Sequence, residues 1–242
     1  MTIIIPMAGL SQRFKDAGYS LPKYMLYVGF KSIFNISVSS FKKYFDSFNF
    51  LFIARNVNDT KSFIETECKL IGLNHYEIVI LESPTKGQAE TVYLGLKSSN
   101  LPKNEEILIF NIDTIRKNFT FNKDLKGCDG FLEVFKGKGK NWSYAEPFDK
   151  KTTRVKRTAE KQEISDLCST GLYFFKSQSD FCKAFIQNNK ESESELFVAP
   201  LYNYLINKNK NIHYQLIKRE EVVFTGIPSE YIELLKFNLL DL

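Results

Sequence analysis

No two cysteines in this 242-residue chain stand close enough in sequence to form a metal or redox motif. Cys68, Cys128, Cys168 and Cys182 are scattered and contain no CxxC pair, which excludes a zinc ribbon and a thioredoxin-like site by spacing. They read as reduced, mostly structural thiols of a cytosolic protein. No apolar run approaches the ~20 residues that a membrane span needs, so no membrane partner is expected. The first apolar stretch, Ile3–Ile5, is far too short for the core of a secretory leader and is ended by Pro6. A dense basic run interleaved with aromatics is also missing. The net charge is +5, from 33 Lys and Arg against 28 Asp and Glu, and Lys136, Lys138 and Lys140 form the one notable cluster. That cluster reads as a solvated loop, and no nucleic-acid partner is expected. A mild positive excess does suit a small anionic substrate. There is no internal repeat, low-complexity tract or linker, so one continuous domain over 1–242, cytoplasmic, is the economical reading.

What is present is an ordinary globular balance, 43% apolar and 25% charged. The 22 Phe and 12 Tyr carry no functional reading. Apolar, β-branched runs at Ile3–Ile5, Phe48–Ala54, Glu77–Leu81 and Glu106–Ile112 predict buried strands. Between them Lys31–Tyr44, Asn58–Leu70 and Gln88–Lys97 have helical spacing; Ile33, Phe34, Val38 and Phe41 share one face, and Asp59 or Thr60 is placed to cap the second helix. This alternation predicts a parallel or mainly parallel sheet with helices on both faces. After Asp113 the pattern changes. Gly130–Phe135, Trp142–Glu146, Arg154–Thr158 and Gly171–Phe175 are strand-like and closely spaced, which predicts an antiparallel extension covering one side of the parallel half. Helices are expected at Gln178–Gln187, at Leu196–Asn207 with Ser192 or Ser194 near its start, and at Ser229–Leu240 with Ser229 as cap. Short strands are expected at Tyr214–Leu216 and Val222–Phe224.

The chain is organised around its first stretch, Thr2 to Leu26. Strand one runs into a loop, Met7–Phe14, with a small-residue turn at Ala8-Gly9. Such a turn lets main-chain N–H groups approach an anion closely, because no side chain stands in the way. Arg13 and Lys23 add positive charge, so the loop reads as a phosphate site at the carboxyl edge of the sheet. It is neither a Walker loop nor a GxGxxG turn. A second turn, Lys86-Gly87-Gln88, opens a helix and offers free N–H groups at the same edge. Asp113, just beyond a buried strand, is placed to hold a hard cation such as Mg²⁺.

Ala8-Gly9-Leu10-Ser11-Gln12-Arg13-Phe14, followed by Pro22-Lys23, resembles the signature loop of the sugar-phosphate nucleotidyltransferases, roughly A-G-x-G-[ST]-R-[FL] and then P-K. That family includes glucose-1-phosphate thymidylyl- and uridylyltransferases and phosphocholine cytidylyltransferases. The resemblance spans nearly the whole chain. It implies an α/β fold of three layers, Rossmann-like (GT-A-like), with a mixed, mainly parallel sheet and a small antiparallel extension. It further implies a nucleotide-binding half, 1–115, and an acceptor-binding half, 116–242, of a single nucleotidyltransferase domain. The implied reaction joins the NMP moiety of an NTP to a sugar-1-phosphate or similar small phosphorylated acceptor and releases pyrophosphate, for surface polysaccharide precursors such as those of a capsule.

By the same resemblance Ala8, Gly9, Leu10, Ser11 and Gln12 wrap the triphosphate, Arg13 holds its phosphates and Lys23 contacts the phosphate at the reacting centre. Gly87 and Gln88 contact the base. Asp113 binds Mg²⁺. The ordered series Tyr144-Ala145, Glu160-Lys161 and Thr170-Gly171 lines the acceptor pocket, with Glu160 on hydroxyls and Lys161 on the phosphate. Three positions depart from the family. Gln162 stands where proline is usual. Ser11 stands where a second glycine is usual. Phe224 stands where many members have a second metal-binding aspartate, which leaves three readings open: Mg²⁺ held by Asp113, phosphates and water; another carboxylate; or lost activity. The rival readings are a nucleotide-sugar-dependent glycosyltransferase, against which the lack of a D-x-D motif argues, and a catalytically impaired nucleotide-binding homologue. The family resemblance also leaves a homo-oligomer open.

Overall fold

The computed structural model describes residues 1–122, 127–191 and 195–236. In chain order the first half runs β1 (Thr2–Pro6), α1 (Gln12–Asp16), β2 (Tyr27–Val28), β3 (Lys31–Ser32), α2 (Ile33–Val38), β4 (Asn49–Arg55), α3 (Thr60–Ile71), β5 (Tyr76–Leu81), α4 (Gln88–Ser98) and β6 (Ile107–Phe110). The second half adds β7 (Thr114–Arg116), β8 (Gly130–Lys136), β9 (Ser143–Pro147), β10 (Val155–Glu160), β11 (Leu167–Phe175), α5 (Gln178–Glu191), α6 (Leu201–Asn207), β12 (Ile212–Ile217), β13 (Val222–Phe224) and α7 (Pro228–Leu234). Among the described residues, no helix is long and apolar enough to cross a membrane.

β1 lies between β4 and β6 in parallel register, and β5 continues the sheet beyond β4, also parallel. The uninterrupted run Ile3-Ile4-Ile5 is explained by this central place. Ile4 faces one core with Val92 and Leu96 of α4 and Phe181 of α5. Ile3 and Ile5 face the other, with Phe34 and Val38 of α2 and Ile64 of α3. Both faces are dry, so alternation with polar residues is excluded. The sheet is mixed and mainly parallel at its centre, as expected.

The antiparallel part does not cover a face of the parallel half. It prolongs the same sheet sideways: β11 pairs antiparallel with β6, and β9 and β10 follow in order. The nine-residue β11 makes this possible. Its second half, from Leu172, pairs with β6, while Cys168 pairs with β9, and β8 pairs with its other edge at Leu167–Ser169 and Tyr173–Phe175. The register against β8 shifts between Ser169 and Tyr173, and Gly171 sits there at φ 89. A bulge at that point re-aims the strand and turns Thr170 and Gly171 toward the carboxyl edge of β1.

Several expected boundaries move. The first-half helix ends at Val38 and continues to Tyr44 as 3-10 turns, while Ile33, Phe34, Val38 and Phe41 all stay fully buried. Asp59 stands at the cap position of α3 in a left-handed conformation and makes no side-chain capping bond. Strand β6 stops at Phe110, so Asp113 lies in a turn rather than at a strand end. Helix α6 begins at Leu201, not Leu196, because Leu196 exchanges its main-chain bonds with Lys86 and Ala89. Ser192 and Ser194 lie outside the described residues. Ser229 is inside α7, which is capped instead by Glu230 accepting from the N–H groups of Gly226 and Ile227 at 2.8 and 3.2 Å. The four thiols are free, and burial pushes Cys68 up to about 12 and Cys128 and Cys182 up to about 11, which makes them poor nucleophiles.

Candidate active site

The turns after β1, β5 and β6 open on one cleft of about 800 Å³, whose far side is formed by β9, β10, β11 and the turn after β13. This is the carboxyl edge of the parallel strands, where open α/β sheets hold ligands.

The first turn is pinned from behind. Met7 N–H donates to Ile53 O at 2.8 Å, and Arg55 Nε donates to Ala8 O at 2.8 Å. Arg55 was not singled out in the sequence; its only signal is a charge at the end of a buried strand. The N–H groups of Gly9 and Leu10 have no partner among the described residues. Ser11 adopts φ 52, ψ 34, the left-handed conformation that a glycine accepts without strain. Its Oγ in turn accepts the N–H of Lys23 at 3.3 Å, so the serine ties the two parts of the motif together. Pro22 has no N–H to offer and leads directly into the 3-10 turn Lys23–Met25. The loop is shorter than expected, since α1 already begins at Gln12, whose Nε2 donates to Asp16 at 2.7 Å. Arg13 is exposed on the cleft, with no carboxylate partner among the described residues.

Lys23 Nζ reaches Asp113 Oδ2 at 2.5 Å across 90 residues, with both side chains about four-fifths buried. Gly87 is required by crowding. A Cβ there would run into the main chain of Leu196, while Ala89 N–H donates to Leu196 O at 2.9 Å. Gln88 Nε2 donates to Asn111 Oδ1. Asn111 also fills the space beside Gly171, where a Cβ would collide with its side chain.

On the far side Glu160 accepts from Ser143 Oγ, and burial is the main cause that raises its carboxyl above the usual range. Lys161, at φ 54, pairs with Glu195 at 3.2 Å and lies 4.5 Å from the Phe197 ring centre. Thr170 Oγ1 donates to Glu133 at 3.0 Å; Glu133 is fully buried and holds Arg116 Nε at 2.9 Å. Thus Ala8, Gly9, Leu10, Ser11, Gln12, Arg13, Lys23, Gly87, Gln88, Asp113, Glu160, Lys161, Thr170 and Gly171 all line one cleft.

Tyr144 does not. It is fully buried behind the wall, and its hydroxyl donates to Gly139 O at 2.5 Å. From β9 and the residue before it, Trp142 and Ser143 face the cleft, because the strand turns the Tyr144 ring into the small core that contains Phe135 and Cys168.

A second carboxylate lies near Asp113, but not at 224. A Cβ on Gly226 would stand 3.0 Å from Asp113 Oδ2 and 3.6 Å from Glu230 Oε2, so both carboxylates flank that glycine. Burial raises the Glu230 carboxyl, and the Asp113 charge adds to the rise. No group of three His, Cys, Asp or Glu side chains poised for a metal occurs among the described residues. The donor set is therefore one or two hard oxygens beside a phosphate-sized cleft. That fits a Mg²⁺-like ion, which keeps several waters and takes the rest of its shell from substrate phosphates.

No protein-family model matches the sequence, and no match is found among curated proteins. Among solved structures the chain is similar to the nucleoside-diphosphate-sugar pyrophosphorylase from Vibrio cholerae RC9, with 48% identity over 97% of this chain and 100% of that one, at a TM-score of 0.93. It is also similar to the inositol-1-phosphate CTP transferase from T. maritima (11% identity, 97% and 94% covered, TM-score 0.74). A UDP-glucose pyrophosphorylase complexed with UDP-glucose gives 16% identity, 97% and 96% coverage, and a TM-score of 0.72. At those identities the last two speak for the fold alone.

Proposed function

The chain belongs to the sugar-phosphate nucleotidyltransferase family and is a nucleotidyltransferase, and from that premise we propose that it joins the NMP part of an NTP to a sugar-1-phosphate or similar small phosphorylated acceptor. Residues 1–115 serve the nucleotide and 116–242 the acceptor. The observation that carries this reading is the convergence of Arg13, Lys23, Lys161 and Asp113 on one cleft.

The acceptor phosphate attacks the α-phosphorus in line, and pyrophosphate leaves. No protein nucleophile is needed; the work is positioning and charge neutralisation. Arg13 and the amides of Gly9 and Leu10 offset charge on the departing pyrophosphate. Gly87 and Gln88 contact the base. Lys23 and Lys161 orient the acceptor phosphate, which requires Lys161 to exchange Glu195 for substrate. Glu160 accepts from acceptor hydroxyls. Asp113, with Glu230 near it, would hold Mg²⁺, which when bound supplies charge neutralisation at the phosphates. A cytoplasmic location accords with the free thiols, three of them buried. A role in precursors for surface polysaccharide or capsule rests on analogy of role alone.

The test is pyrophosphate release by purified protein with Mg²⁺, across four NTPs and a panel of sugar-1-phosphates and small phosphoalcohols. Release with one NTP and one acceptor class is expected. Silence across the whole panel would sink the reading in favour of an impaired homologue.

A further inference from the structure

Trp142 is the one tryptophan of the chain. It is half-buried at the acceptor end of the cleft, and the position of its ring is fixed from behind. Phe135 meets it edge-on at 5.1 Å and 86° between ring planes. Phe224 meets it at 4.7 Å and 53°. Phe135 and Phe224 also touch each other, at 5.5 Å, so the three rings form one closed cluster. Phe224 is only 8% exposed and therefore presents little surface of its own. Phe224 takes the sequence position where a carboxylate was expected, in register with Thr114, the residue that follows Asp113.

We infer that Trp142 is a platform for the apolar face of the acceptor's sugar ring, and that Phe224 is the positioning residue that holds it there. The inference rests on the nucleotidyltransferase reading above and names the acceptor moiety of that same site. The groups beside Trp142 on the cleft are Ser143, Glu160 and Tyr173, a hydroxyl, a carboxylate and a phenol suited to ring hydroxyls. A polar set on one side and an aromatic face on the other is the arrangement that orients a polyhydroxylated ring. A carboxylate among aromatic rings also suits a cation, and two observations weigh for the neutral ring. The Arg219 guanidinium already lies over Phe135 and Phe224, 5.4 and 5.0 Å from their centres, and opposes a second cation at the same ring cluster. Lys138 lines the same end of the cleft and adds charge of the same sign. On this account position 224 is not a vacated metal position; it has been given to acceptor recognition.

Because Trp142 is unique, its fluorescence reports the platform directly. Titration of the full chain with glucose-1-phosphate and other hexose-1-phosphates should shift or quench the emission to saturation, while inorganic phosphate and glycerol-3-phosphate at equal occupancy, measured by calorimetry, should not. Phe224→Leu should weaken the signal, and Phe224→Asp should raise the acceptor KM tenfold or more with the NTP KM and the NTP-induced thermal shift unchanged. Four results would overturn the inference: sugar phosphates that bind with no change in emission, no binding of any sugar phosphate, a response to phosphocholine but not to sugars, or a Phe224→Asp variant with higher kcat at unchanged acceptor KM. A chain that releases no pyrophosphate would overturn the reaction proposed above, whereas the fluorescence titration decides the platform independently of turnover.

Discussion

On the side proposed for the nucleotide the cleft presents mostly main chain: the bare turn Ala8–Ser11, the glycine at 87 and the amides they expose. On the side proposed for the acceptor it presents side chains, Trp142, Ser143, Glu160 and Tyr173, carried on antiparallel strands. The difference teaches how each wall tolerates change. A wall of main chain is fixed by turns whose ends are tied to the parallel core, as by Arg55 on Ala8. A wall of side chains can be rewritten one position at a time, as Phe224 illustrates. Between the walls stands the Lys23–Asp113 pair, at 2.5 Å.

The largest effects should fall on that shared centre. Asp113→Asn and Lys23→Ala should each lower pyrophosphate release by about 10²–10³-fold or more, measured as kcat with both substrates saturating. If either variant instead changed only one KM, the centre would belong to one wall and the comparison would break.

Next in size is Gly87→Ala. The new Cβ would meet the Leu196 main chain, which cannot move without losing its bonds to Lys86 and Ala89. A loss of about 2–3 kcal/mol in denaturant unfolding is expected, together with weaker NTP binding.

Glu160→Gln should act on the other wall only. Replacing a carboxylate acceptor of hydroxyl bonds costs about 1.5–3 kcal/mol, read as a rise in acceptor KM with the NTP KM held. The raised Glu160 carboxyl gives the same separation by pH: it protonates at higher pH than an ordinary glutamate, so acceptor KM should climb first as the solution is acidified. The sign for stability is opposite. The folded state binds this proton more tightly than the unfolded chain, so the cost of burying the charge is present at neutral pH and fades as pH falls through the folded pKa.

The smallest effect is expected from Ser11→Gly. It relieves a left-handed serine worth about 1 kcal/mol but gives up the bond to Lys23. The two nearly cancel in thermal unfolding, and the loss should show as a modest rise in NTP KM.

How much of this was legible follows from the same contrast. The strands β1, β4, β5 and β6 are continuous apolar runs because both their faces are dry, and a run of that kind needs no knowledge of its neighbours. The motif around Ala8 and Pro22-Lys23 is local, so its residues could be named from the chain alone. Trp142 could not. Tyr144 had the better sequence pattern, yet it turns into the small core while Trp142 and Ser143 face the cleft. The apolar stretch before Leu201 read as helix, but Leu196 spends its main-chain bonds on the turn at Lys86.

The sequence by itself determined the α/β architecture, the small-residue turn after β1 and the identity of the cations beside it, because buried runs, bare turns and fixed charges act over a few residues. Only the tertiary structure decided which carboxylate stands near Asp113, which aromatic faces the cleft, and where the antiparallel strands join the sheet. Each of those depends on side chains far apart in sequence meeting at one place. Glu230 reaches Gly226 through a helix cap, Phe224 comes beside Trp142 through the pairing of β13 with β7, and β11 reaches both β6 and β9 through a single bulge.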